Sequence, residues 1–362
     1  MVSYPGALAR HRMGMVRGMV NSIRIVVARI VCGSLGLLTS SAVSAQEPLS
    51  VGEALALRTV ANPHLGDGFV AFNMAVPRPI EDGPGGSYLH LGVIDNPFEA
   101  RSGKAVVTRW LVSGKDSAPG LAVRPRHRAV SYTKRVDGKN QLFVQSIDES
   151  KAVLYASTPS IISYRWSPDS LSVAFTTLDP MPPQRADAKQ RGFEPIVYDE
   201  DWRHISLWVV GKGGTPRRLT SGTTVYDFRW SPDSKKIACA CAPRNTTDDS
   251  YMHKRLHILD VASSRLNKLV ENPGKLGDFA FTQNGARLFY ISASYRNDPH
   301  AGSLFTVPTA GGEPEFRSKG FLGMVQHIKP TSSGVLLQES TGVATRLTHL
   351  NGAGKPEWIY NP

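Results

Sequence analysis

Tyr164-Arg165-Trp166-Ser167-Pro168-Asp169-Ser170 returns 64 residues later as Phe228-Arg229-Trp230-Ser231-Pro232-Asp233-Ser234. In both copies a short aromatic run meets a proline at the second place of a tight turn, where its fixed φ suits the bend. The aspartate that follows can accept from its own turn backbone. Beyond the turn the residues alternate, as at Ile237 and Cys239, so the phrase reads strand, turn, strand. Trp166, Pro168, Asp169, Trp230, Pro232 and Asp233 are therefore the framework of a repeat, and Trp166, Trp208 and Trp230 are expected in the core.

Sliding the same frame along the chain finds weaker copies at Val123-Arg124-Pro125, Phe281-Thr282-Gln283-Asn284-Gly285 and Ile328-Lys329-Pro330. A degenerate first copy surrounds Gly66-Asp67-Gly68 and Phe69 to Phe72. Each unit carries a third strand, at Leu89 to Ile94, Gln141 to Ile147, Ser206 to Val210, Arg255 to Leu259, Ser303 to Val307 and Thr345 to Leu350. A fourth follows, as at Arg217 to Thr220. Four short antiparallel strands repeated at this spacing predict an all-β chain, a β-propeller of about six to seven four-stranded blades. No stretch sustains a helical period, which excludes a helical solenoid.

These phrases resemble the TolB-type (WD40-like) propeller repeat, with Ser170 and Ser234 in place of its glycine. Val197 to His204, then Ser206 to Val210 and Arg218-Leu219-Thr220, are similar to the N-terminal propeller of dipeptidyl and acylaminoacyl peptidases in the prolyl oligopeptidase family. The resemblance covers most of residues 65–360 and implies a domain that gates an α/β-hydrolase domain. That hydrolase carries its serine on a G-x-S-x-G elbow, which this sequence does not contain, and no H-E-x-x-H or phosphate-binding glycine loop is present. The chain reaches Trp358 to Pro362 within or just after the sixth unit, so the expectation is a propeller without the catalytic domain. Either the segment from Gln46 to Asn62 supplies a closing strand to the sixth unit or the propeller is truncated.

Residues 1–45 stand apart: five arginines and no acid, an apolar run from Ile30 to Leu38, then Val43-Ser44-Ala45 before Gln46. A basic leader, a short apolar core and small residues before the cut predict a signal peptide, leaving residues 46–362 as the propeller domain in the periplasm or secreted. Arg29 interrupts the stretch, so no stable membrane span is expected after cleavage. Cleavage lowers the formal charge from +12 to near +7, with no block of like charge that would mark a nucleic-acid partner. Cys239 and Cys241 fall on one strand face and are expected as buried free thiols, since disulfide geometry rarely spans such a pair.

The long connection from Leu178 to Ile205 is where binding is expected, because connections of this length are seldom without function. It holds Asp199, Glu200, Asp201 and Arg203. By the resemblance, acidic residues of the propeller hold a substrate's free amino terminus, a role that falls on Glu200; carboxylates suit an ammonium. Trp202 and His204 read as packing residues. No catalytic residue, metal or cofactor is assigned. The expected partner is a protein or peptide, with a separately encoded hydrolase domain as one candidate. The leading expectation is a non-catalytic gating propeller; the alternative is a TolB-like periplasmic scaffold that binds proteins.

Overall fold

The computed structural model describes residues 50–361 apart from 84, 104–105, 159, 196–199 and 201. The signal peptide predicted over 1–45 lies outside the described residues. The chain divides into two compact units, Met1–Lys134 with Phe143–Val153, and Arg135–Leu142 with Leu154–Pro362.

A short helix, α1 (Val51–Leu55), comes first, and Ser50 and Glu53 cap it reciprocally, Glu53 N donating to Ser50 Oγ and Ser50 N to Glu53 Oε2. Six four-stranded sheets follow, each with its strands in chain order. The first holds β1 (Thr59–Leu65), β2 (Phe69–Pro77), β3 (Ser87–Asp95) and β4 (Thr108–Val112). The second holds β5 (Ala122–Val123), β6 (Ala129–Val136), β7 (Lys139–Ser146) and β8 (Val153–Thr158). In the third, β9 (Ser163–Trp166) and β10 (Ser172–Leu178) are separated by α2 (Pro183–Gln190) from β11 (Ile205–Gly211) and β12 (Arg217–Arg218). The fourth comprises β13 (Thr224–Trp230), β14 (Lys236–Ala242), β15 (Arg255–Asp260) and β16 (Leu266–Val270). The fifth has β17 (Leu276–Phe281), β18 (Arg287–Ser292), β19 (Ser303–Pro308) and β20 (Glu315–Phe316), and the sixth β21 (Met324–Pro330), β22 (Gly334–Thr341), β23 (Ala344–Asn351) and β24 (Pro356–Tyr360).

One expectation about closure is overturned. Thr59, Val60 and Ala61 pair with Ala75, Met74 and Asn73, so this segment is the first strand of the first blade and not a closing strand for the sixth. The sixth sheet is completed by residues 324–360 alone. A hairpin closed by three residues loses far less chain entropy than a pairing that spans the whole domain.

The repeat turns are built as their chemistry predicts. Asp169 Oδ1 accepts from Leu171 N at 2.9 Å and from Ser167 Oγ at 2.5 Å, and Asp233 Oδ1 accepts from Lys235 N at 3.1 Å and Ser231 Oγ at 2.5 Å. Asn284 takes the same place in the fifth blade, accepting from Ala286 N at 3.1 Å. The next residue is left-handed in all three, with φ of 66° at Ser170, 60° at Ser234 and 69° at Gly285. Serine there bears the Cβ strain that glycine avoids.

Apolar side chains alternate to the two faces of each sheet and close seams between blades. In the first unit Phe69, Ala71, Leu91 and Val93 pack against Val130 and Ile147. In the second, Leu207 and Val209 meet Val225, Phe228, Ile237, Cys239 and Cys241. Ala238, Leu256 and Ile258 meet Phe279 and Leu288, and Phe289 and Ile291 meet Val325, Ile328 and Leu337. Cys239 and Cys241 are buried free thiols in this packing. Burying aromatics such as Phe228 and Phe279 contributes about 1.5–3 kcal/mol each. Trp166 is buried, whereas Trp208 and Trp230 are half-buried: Trp230 lies at the edge of the seam that Leu207 and Phe228 fill, and Trp208, on the opposite face of β11 from Leu207, lies under the Arg218 guanidinium. Trp230 nonetheless ties two blades, its Nε1 donating to the Arg165 carbonyl at 3.1 Å.

Candidate functional site

Within each antiparallel sheet the connection from second to third strand leaves from the end opposite the Trp-Ser-Pro-Asp-Ser turn. In blades three to five these are the segments from Leu178 to Ile205, Ala242 to Arg255 and Ser292 to Ser303. The first is the longest and is anchored at its base. Asp179 N donates to the His204 carbonyl at 2.8 Å, and the Asp179 carboxylate accepts from Ser206 Oγ and Arg218 Nη2, each at 2.6 Å. Pro183 starts α2 without wasting a backbone donor. Its far end is fastened by Arg185 Nη2 donating to the Pro195 carbonyl at 2.8 Å and by an Asp187–Arg191 pair at 3.0 Å.

Of the four candidate binding residues, Asp199 and Asp201 lie outside the described residues. Glu200 is described and exposed. Arg203 does not reach out; its Nη1 donates to the Asp179 carbonyl at 3.0 Å. Trp202 and His204 meet edge to face with ring centroids 4.9 Å apart, and His204 Nδ1 lies 3.1 Å from Thr224 Oγ1, so both are packing residues on this strap.

The connection of blade four meets the strap. Asn245 Nδ2 donates to the Arg203 carbonyl at 3.0 Å. Asp249, buried at the start of a π-helical turn over Asp249–His253, accepts from Arg244 N at 2.8 Å and Arg244 Nε at 3.3 Å. Tyr226 closes the loop from below, its hydroxyl donating to the Arg244 and Thr246 carbonyls at 3.1 and 3.2 Å. Burial, with the Asp249 charge, pushes that phenol up to about 12. Phe193, Tyr251 and Tyr295, one from each of the three connections, are exposed.

Along the first strands of blades three, four and five runs a chain of charges that the sequence pattern alone did not reveal. Arg165 Nη2 donates to Asp227 Oδ1 at 3.3 Å, Arg229 Nη1 to the same oxygen at 2.5 Å, and Arg229 Nη2 to Asp278 Oδ1 at 2.8 Å. The first strands of blades three, four and five are thereby joined. Asp227 also accepts from Phe228 N at 2.8 Å, and Asp278 from Phe279 N at 2.9 Å and Ile328 N at 3.1 Å. Lys254 sits 6.0 Å over the Tyr226 ring. Burial pulls its ammonium down and Asp227 partly restores it. The signal was in the repeat itself: an arginine precedes Trp166 and Trp230, and an aspartate precedes Phe228 and Phe279.

Among the described residues no cluster of three or more His, Cys, Asp or Glu side chains could hold a metal ion, and no helix is long and apolar enough to cross a membrane.

Six sequence-local four-stranded antiparallel sheets, with apolar seams between successive blades inside each unit, define a β-propeller. Comparison with solved structures finds the same fold in the propellers of peptidases. The acylaminoacyl peptidase of Pyrococcus horikoshii superposes on 85% of this chain and 46% of its own at TM-score 0.59 and 12% identity. The propeller domain of the Trilobed protease from Pyrococcus furiosus, described as having an open velcro topology, matches 84% of this chain and 82% of its own at TM-score 0.55 and 11% identity. A prolyl endopeptidase matches 84% of this chain and 43% of its own at TM-score 0.57 and 12% identity. The chain thus spans just under half the length of the full peptidases it resembles. No family model and no curated protein sequence matches it.

Proposed function

We propose that residues 1–45 direct export and that residues 46–362 work in the periplasm as a non-catalytic propeller that binds a peptide or protein at its loop end. The partner class is a peptide chain, or a hydrolase domain that such a propeller gates. The observation that carries this reading is the joining of two successive connections through Asn245 and Arg203, with a large side chain exposed on each of three successive connections, Phe193, Tyr251 and Tyr295. The likeness to peptidase propellers and the absence of a G-x-S-x-G elbow in the sequence support a binding role over chemistry. Glu200, exposed on the strap, remains the residue proposed to meet an ammonium group.

The test is site-specific photo-crosslinking in the envelope of the host bacterium. A crosslinking side chain at Tyr251 or Glu200 should capture a discrete partner, and one at Lys235, in the opposite turn, should not. Equal capture from both ends, or none from the loop end, contradicts the proposal.

A further inference from the structure

The charge chain along these first strands is unbalanced. Arg165 and Arg229 meet on Asp227, Arg229 is shared with Asp278, and the Lys254 ammonium lies 6.0 Å over the ring of Tyr226, the residue before Asp227. Three cations therefore face two carboxylates. Both carboxylates already accept from backbone N–H groups, which takes up part of their capacity. Arg165 holds its one carboxylate at the long distance of 3.3 Å, and its side chain is 44% exposed. The pull of burial and the repulsion of Arg229 both disfavour its charge. Two guanidinium groups that meet on one carboxylate oxygen, with an ammonium close by, are short of one negative charge in a half-buried place. Arginine forks present paired N–H donors that match the two oxygens of a planar carboxylate.

We propose that this cluster, formed by Arg165, Arg229 and Lys254, binds the carboxylate of a peptide ligand. Tyr226 ties the cluster to the loop end, since it carries Lys254 on its ring and bonds the Arg244 and Thr246 carbonyls of the blade-four connection, while Arg165 and Arg229 sit further along the first strands, one residue before the tryptophan of each turn. The inference rests on the reading of that end as peptide-binding and names what it recognises: a carboxyl terminus or an acidic side chain. Asp227 and Asp278 set the selectivity, since they repel a second negative charge and disfavour a dianion such as phosphate.

Calorimetry on the purified protein with three probes tests it: an acetylated tripeptide with a free carboxyl terminus, the same tripeptide amidated, and inorganic phosphate. The free acid should bind at least about tenfold more tightly than the amide, as loss of one charge-assisted contact implies. Arg165→Gln and Lys254→Gln should each erase that preference while leaving the amide's affinity unchanged, and Lys235→Gln in the opposite turn should do nothing. Near-ultraviolet dichroism confirms that each variant is folded, and Lys254→Gln, which breaks no ion pair in the chain of charges, carries the test if Arg165→Gln does not fold. Equal binding of acid and amide leaves peptide binding standing and overturns the carboxylate site. Binding of neither peptide overturns both, and phosphate binding as tight as the free acid overturns the assignment to a carboxylate.

Discussion

Ser234 Oγ accepts a hydrogen bond from Asp169 N at 3.1 Å, so the turn of one blade holds the turn of the blade before it, 65 residues earlier. The same serine bears a left-handed φ of 60°. A residue that glycine would suit better for its backbone is thus a serine that ties two blades together.

Two substitutions separate those effects. Ser234→Ala keeps the strain and loses the bond, and should cost about 1–2 kcal/mol. Ser234→Gly loses the bond but relieves the backbone, and should recover much of that loss. Urea unfolding of both variants measures the difference; an alanine variant as stable as the glycine variant would show that strain at this position is negligible.

Asp278 serves three donors in three blades: Arg229 Nη2, Phe279 N and Ile328 N. Asp278→Ala should cost about 2–4 kcal/mol, since it removes the acceptor of two backbone N–H groups and one of the two carboxylates that hold Arg229. Arg229→Ala should cost less, because the aspartate keeps its backbone donors. A double-mutant cycle in denaturant should return a coupling of about 1–2 kcal/mol, and a coupling near zero would show that the ion pair contributes nothing.

The fold was legible because the turn chemistry is local. Proline at the second position, an aspartate bonding its own turn and alternating apolar residues each act within a few positions, so they repeat visibly. The third strands and the insertion limits at Leu178 and Ile205 follow from the same frame. What could not be read depends on which blade neighbours which. Asn245 reaches Arg203 over 42 residues and Arg229 reaches Asp278 over 49, distances at which the sequence shows two ordinary polar residues and no pairing. The half-burial of Trp230 is of this kind too, since its surroundings come from blade three.

Stability should fall in acid. The Ser231 hydroxyl, with Lys235 N, holds the Asp233 carboxyl below its ordinary 3.8. A carboxyl whose pKa is depressed by folding stabilises fully above its unfolded value and loses that contribution as pH drops through the folded one. Melting temperature should therefore decline below about pH 4. Asp233→Asn should start lower at pH 7 and lose less on acidification; parallel curves for the two proteins would remove Asp233 from the account.

Export and inertness can be checked on one preparation. Mass spectrometry of the periplasmic fraction should find an amino terminus at Gln46, and the purified protein should not react with a fluorophosphonate serine probe. An intact leader on cytosolic protein would contradict export. Stoichiometric labelling of one serine, abolished by prior heating, would contradict a purely binding role.

Deuterium exchange with and without the free-acid tripeptide tests the binding of peptide at the loop end most directly. Protection should appear in the segments from Leu178 to Ile205 and Ala242 to Arg255 and in the first strand of blade four, Thr224–Trp230, with none in the turns at Ser167 to Ser172 and Ser231 to Lys236. Protection confined to those turns, or no protection under conditions where calorimetry detects binding, would place the ligand elsewhere and contradict the assignment.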